Sequence, residues 1–207
     1  MTDAGSVNEW GPLWAMAGEW HGEGGLDTAF SHSRNEVLGT PYLEKVTMKP
    51  FGPVDNGDQH LYGLDYKTAM WRGDESNPFH TEVGYWLWEP KTGVVMQTLA
   101  IPRGQVALAG GQAKPDDDRI IVKAERGATE YGICSTAFLE YAFRTDSYQI
   151  EVVFNADGTW SYTTDTMLLV HGRDAPFAHR DQNTLTRISD PKPNPWKAIL
   201  DAKAARG

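Results

Sequence analysis

Cysteine is almost missing from this chain: Cys134 is the only one in 207 residues. A single thiol excludes an internal disulfide framework and suits a reducing compartment; the residue itself reads as a small buried apolar side chain rather than a nucleophile. Basic residues are in deficit, 19 against 28 acidic for a formal net charge of −9. With no arginine-rich tract or basic stripe to neutralise phosphates, nucleic acid is set aside as a partner. No apolar run reaches the roughly 18 residues that a membrane-spanning helix needs. The segment Met1 to Asn8 also lacks a positive region followed by an apolar stretch, so no membrane partner and a cytoplasmic location are expected. Gly-x-Ser-x-Gly, His-Glu-x-x-His and P-loop patterns are absent as well.

What is present is an apolar share of 40% with 11% aromatics, enough to bury the core of one domain. Gly18, Trp20, Gly22 and Gly24 recur at two-residue spacing, which on a strand places the ring and the glycines on one face. A large aromatic among side-chain-free positions suits the first strand of a small barrel, the ring plugging one end while neighbouring backbone approaches the glycines. Just before it, Trp10, Leu13, Trp14 and Ala17 fall at helical spacing and Gly18 stands where a helix would stop, so a short amphipathic helix leads into the strand.

Alternation of apolar and polar residues marks Tyr62 to Met70 as a strand, and Tyr148 to Phe154 and Trp160 to Val170 as a hairpin around the turn Asn155-Ala156-Asp157-Gly158. Further strands are expected over 35–48, 79–88, 94–101, 105–113, 119–125 and 183–188, separated by Pro, Gly, Asn and Asp clusters. About ten strands with no βαβ alternation predict an all-β, closed antiparallel barrel, a sandwich being the other solution. The barrel domain is expected over 1–190. The remainder, 191–207, opens with three prolines in Pro191-Lys192-Pro193-Asn194-Pro195, and Asn194 and Pro195 then start a helix carrying Trp196, Ile199 and Leu200. That helix is expected to pack on the barrel or to form a homodimer contact. Asp116-Asp117-Asp118 reads as a solvated turn, since calcium loops need spaced oxygens and a distal glutamate.

Three blocks of sequence together resemble the nitrobindin-like, heme-binding β-barrel family, whose architecture is similar to that of lipocalins and fatty-acid-binding proteins. They are Gly18-x-Trp20-x-Gly22-x-Gly24; Pro78-Phe79-His80-Thr81-Glu82-Val83-Gly84-Tyr85-Trp86 with Ile101-Pro102-Arg103-Gly104; and Phe177-Ala178-His179 running to Asn183-Thr184-Leu185-Thr186-Arg187. The resemblance spans roughly residues 10 to 188. It implies a barrel that holds a small apolar or amphipathic ligand. In heme-binding members a histidine at the start of the last strand ligates ferric heme b, and the pocket handles nitric oxide or isomerises peroxynitrite to nitrate. His179 is the matching residue. Aligned instead on Leu185 and Arg187, the strand puts Arg180 at that position, and a slip of one residue reverses the facing unless a bulge restores it. Where the family carries tyrosine-proline-threonine after the glycines this chain has Leu26-Asp27-Thr28-Ala29-Phe30, which leaves Thr28 beside His179 and Arg180 as candidate cofactor contacts. No other metal is implied.

Each candidate also has a structural reading. His179 is either an iron ligand or a histidine satisfied by Asp174 or Asp181. His80 and Glu82 form a His-x-Glu pair, but a catalytic zinc of the deaminase type also needs Pro-Cys-x-x-Cys, impossible with one cysteine. The pair is expected to hydrogen-bond within the barrel or across strands or, as a third reading, to act as an acid–base pair on a small metabolite. Trp20, Trp86 and Trp160 line a cavity or simply pack, and Arg103 holds a carboxylate at the barrel mouth or shapes a turn. Residues 83–88 are apolar on both faces, so alternation alone leaves the facing of that strand open.

Overall fold

The computed structural model describes residues 9–192 and 197–206. A 3-10 helix, Gly11–Met16, opens the described chain, and eleven strands follow: β1 (Gly18–Ser31), β2 (Glu36–Asn56), β3 (Gln59–Trp71), β4 (His80–Trp88), β5 (Val94–Ile101), β6 (Gln105–Gln112), β7 (Arg119–Arg126), β8 (Gly132–Ser135), β9 (Phe143–Phe154), β10 (Trp160–Val170) and β11 (Phe177–Ser189). Helix α1 (Ala137–Ala142) precedes β9 and helix α2 (Lys197–Ala204) lies near the carboxyl end. The strands close in the order β1-β11-β10-β9-β7-β8-β6-β5-β4-β3-β2. Pairing is antiparallel except between β7 and β8. Closure leaves no long sheet edge to pair with another chain.

Two elements escaped the alternation pattern. Strand β8 has only four residues, too few to show a period. Helix α1 has six, started by Thr136, whose hydroxyl accepts from the Leu139 amide. The expected Asp116–Asp118 turn is present, with Asp117 accepting from the Lys114 amide at 2.7 Å. The expected cap and first residues of the last helix, Asn194, Pro195 and Trp196, lie outside the described residues, as do Met1 to Asn8. Ile199 of α2 is exposed. Cys134 is exposed rather than buried as expected, since it is the cross-strand partner of the exposed Val106.

The opening glycine motif departs from its simple reading. A bulge interrupts β1 between Gly22 and Gly25, so the inward-facing set changes from even to odd positions. Gly18, Trp20 and Gly22 face in; Gly24 faces solvent and Gly25 is buried instead. A Cβ on Gly22 would come within 2.4 Å of the Asn183 amide and one on Gly25 within 2.3 Å of the Tyr42 ring, whereas one on Gly24 would meet nothing. Past the bulge, Asp27 and Ala29 point into the barrel on the new parity, while Phe30 near the strand's end is buried as well and joins the lining.

The interior divides along its axis. At the end near Trp20, the 3-10 helix packs Leu13 and Met16 beneath the strands with no exposure. The Trp20 indole donates to the Met16 carbonyl at 2.7 Å and meets the Trp160 ring edge-on at 5.9 Å. Trp10 donates to the Phe51 and Gly63 carbonyls, and Trp88 to that of Ala113. Arg187 closes this end from outside, its guanidinium 4.1 Å from the Trp20 ring centroid and hydrogen-bonded to the Ala17 carbonyl. The expected plug is there, its indole N–H groups paired with backbone carbonyls.

Candidate functional site

Above the tryptophan plug the barrel encloses a cavity of about 350 Å³, at the lower end of the range for small-molecule sites. Its wall is polar at mid-height. β11 aims His179 and Asp181 inward, β1 contributes Asp27, β2 Glu44, and β4 His80 and Glu82. The alternation of each strand decides this: within β11 the inward set is Phe177, His179, Asp181, Asn183 and Leu185, while Ala178, Arg180, Gln182 and Thr184 face solvent.

Three hydrogen-bonded groups make up this belt. His179 Nε2 lies 2.9 Å from Asp27 Oδ1 and 3.3 Å from Asp181 Oδ2. Asp27 and Asp181 are direct cross-strand partners in the β1–β11 pairing, so two carboxylates share one imidazole. His80 Nε2 lies 3.1 Å from Glu82 Oε1, and the Tyr66 hydroxyl donates to Glu82 Oε2 at 3.2 Å. Glu44 is the most enclosed acid. It accepts from Thr68 at 2.8 Å, Tyr162 at 2.8 Å and Asn183 at 2.9 Å. Since Tyr162 donates to Glu44, its oxygen accepts from the Tyr42 hydroxyl, 2.8 Å away. Gln97 joins the far wall, accepting from Tyr148 at 2.8 Å.

Burial and charge shift the titration of these groups. Burial raises Glu44 above the ordinary carboxylate range, against the pull of its three donors. Burial also pushes Asp181 up to about 6, opposed by the charge of His179 and reinforced by Asp27. Burial disfavours the charged forms of both histidines, but the Glu82 hydrogen bond raises His80 and the Asp27 hydrogen bond with the Asp181 charge raises His179. Tyr66, Tyr148 and Tyr162 are held well above the usual phenol value by burial and serve as neutral donors.

The mouth differs from both the plug and the belt. Phe30, Met70, Ile101, Phe143 and Leu168 line it together with Arg72 and Arg103. Each arginine lies over a ring, Arg72 4.0 Å from the Phe79 centroid and Arg103 5.3 Å from that of Phe143. Within the cavity wall, Trp160 carries a buried indole N–H that has no acceptor among the described residues.

The cavity therefore gathers His179, His80, Glu82, Trp86, Arg103 and Trp160. Trp20 belongs to the plug beneath it. Thr28 and Arg180 are not among the lining residues: they are direct partners across the β1–β11 pair, and Arg180 is engaged bidentately by Asp165 at 2.7 and 2.9 Å. The β1 bulge and the inward aim of His179 leave them off the lining. Asp27, Glu44 and Asp181 were not singled out as cavity residues. Their signal was present as isolated acids at inward positions of otherwise alternating strands, but for Asp27 it appears only once the bulge is known.

No curated protein matches the chain. The crystal structure of Rv2717c from M. tuberculosis superposes with a TM-score of 0.58 at 19% identity, covering 86% of this chain and 95% of that one, a likeness of fold. Residues 9–187 match the family described as the THAP4-like, heme-binding β-barrel domain. A match of that extent, over a closed barrel with an internal cavity, places this chain in the THAP4-like, heme-binding β-barrel domain family.

Proposed function

We propose that the protein is a binding barrel for a small amphipathic molecule, acting in a reducing compartment such as the cytoplasm. The observation that carries this reading is the cavity of about 350 Å³ with a polar belt below an apolar mouth. The hydrogen-bond-donating end of the guest faces Glu82 and Asp181. An acceptor on it takes the free Trp160 N–H. Its apolar part lies among the mouth residues, where burial contributes about 25 cal/mol per Å², and an acidic group, if present, meets Arg72 or Arg103.

The alternative is a ferric heme b on His179 that isomerises peroxynitrite. One geometric point favours it: β11 aims His179 into the cavity. The donor set speaks against it. His179 would have to hold the iron, and doing so would take its imidazole from Asp27 and Asp181 and leave two opposed carboxylates in the wall without their partner. The residues present do not fit the group.

Two titrations test the proposal. Anilinonaphthalene sulfonate, an amphipathic fluorescent probe, is expected to brighten on binding the wild type and not the cavity-filling variant Thr164→Phe. Equal brightening of both, or none in either, overturns the binding reading. Hemin is expected to keep its free spectrum; a sharp ferric Soret band abolished by His179→Ala would replace the proposal with the heme alternative.

A further inference from the structure

We propose that Asp27, His179 and Asp181 form a non-heme site for a divalent transition-metal ion on the cavity wall. The site goes beyond the organic guest proposed above and does not depend on it.

Geometry comes first. His179 Nε2, Asp27 Oδ1 and Asp181 Oδ2 converge, the nitrogen 2.9 and 3.3 Å from the two oxygens, and the three ligand atoms all lie within 4.8 Å of one another. Metal–ligand bonds of about 2.0–2.2 Å to imidazole and carboxylate produce ligand-to-ligand edges of about 3 Å. An ion placed among the three needs only small side-chain rotations. All three residues sit on paired strands of a closed barrel, so the backbone already holds them.

The second observation is a carboxylate without a donor. Asp27 and Asp181 are direct cross-strand partners, an arrangement that is unfavourable for like charges. Among the described residues no hydrogen-bond donor serves the Asp181 side chain; its one close polar contact is the ion contact with His179. Buried acids are ordinarily paired with cations or bound to metal. The lining offers four carboxylates, Asp27, Glu44, Glu82 and Asp181, against two imidazoles and no lysine. Arg72 and Arg103 lie at the mouth over their rings.

The donor set selects the ion. One imidazole and two carboxylates suit zinc, manganese or ferrous iron, and imidazole argues against calcium or magnesium. Three protein ligands on a cavity wall leave coordination positions facing the interior, the pattern of a site that accepts an exogenous ligand. His80 and Glu82 line the same cavity as the three ligands.

The test uses the full chain freed of metal by chelator and titrated with zinc chloride by calorimetry and with cobalt chloride by visible absorption. One ion per chain is expected, with cobalt d–d bands of a nitrogen–oxygen site. His179→Ala and the near-isosteric Asp181→Asn should each weaken binding about tenfold or more. His60→Ala, which removes a half-exposed histidine paired with Asp55 on the outside, should leave it unchanged. Circular dichroism checks that each variant is folded; if His179→Ala is not, Asp181→Asn carries the test. No stoichiometric binding, or binding that Asp181→Asn leaves intact, overturns the site. Neither result bears on the anilinonaphthalene sulfonate titration, so the two proposals fail separately.

Discussion

The two halves of the barrel interior solve opposite problems with the same strands. Around Trp20 the floor is filled by indoles whose N–H groups are spent on backbone carbonyls, those of Trp20 on Met16, Trp10 on Phe51 and Gly63, and Trp88 on Ala113. A few residues higher, the same inward positions carry Asp27, Glu44, Glu82, His80, His179 and Asp181 around a cavity. The floor secures stability by excluding water. The belt places polar groups in low dielectric, where each must find a partner or be neutralised. On the proposed reading the guest meets the polar half, and the packed half holds that half in place.

The largest break in that contrast should come from the floor. Trp20→Ala removes a fully buried ring lodged against Trp160 and capped by Arg187, and should cost about 4 kcal/mol in urea unfolding. A loss below about 1 kcal/mol would mean that the plug is not a packing keystone. Glu44→Ala strikes the belt where it is best satisfied, leaving the donors of Thr68, Tyr162 and Asn183 without their acceptor. A loss of about 3 kcal/mol is expected in the same measurement.

Titration sharpens the contrast further. The folded Asp181 holds its proton up to about 6 against an ordinary 3.8. Its contribution is therefore fully present below pH 4 and is lost as the pH rises toward and past 6. In chelator, Asp181→Asn should flatten that decline and gain about 2 kcal/mol over the wild type at pH 7. His179, raised by Asp27 and Asp181, acts in the same direction at higher pH: its stabilisation is complete below its ordinary pKa and fades as the pH climbs through the folded value. A wild-type stability curve that rises between pH 4 and 6 through an effect absent from Asp181→Asn would contradict this. The smallest effect belongs outside the barrel. Arg180→Ala breaks an exposed pair with Asp165 and should leave zinc and hemin titrations and the unfolding midpoint unchanged within error.

Much of the barrel could be read from alternation alone. The stretches Tyr62–Met70 and Tyr148–Phe154 and the start of β10 alternate in sequence, and the turn at Asn155 to Gly158 separates the last two. β8 and α1 could not be read, because four and six residues are shorter than the patterns that reveal strands and helices. For the site, parity mattered more than residue type. His179, His80 and Glu82 are recognisable by their chemistry, and strand β11 decides the facing of the first. Thr28 lies off the cavity lining because the bulge between Gly22 and Gly25 brings Asp27 inward instead, and Arg180, its direct cross-strand partner, shares its face.

The amino-acid order by itself determined that this chain forms a β-rich barrel with a tryptophan at one end, since two-residue periodicity and glycine punctuation act locally, over a few residues at a time. Only the tertiary structure decided that Asp27 would stand opposite Asp181 with His179 between them. Residues 152 positions apart in sequence meet through the β1–β11 closure, and one extra residue in a bulge is enough to choose which side chains face the cavity and which face water.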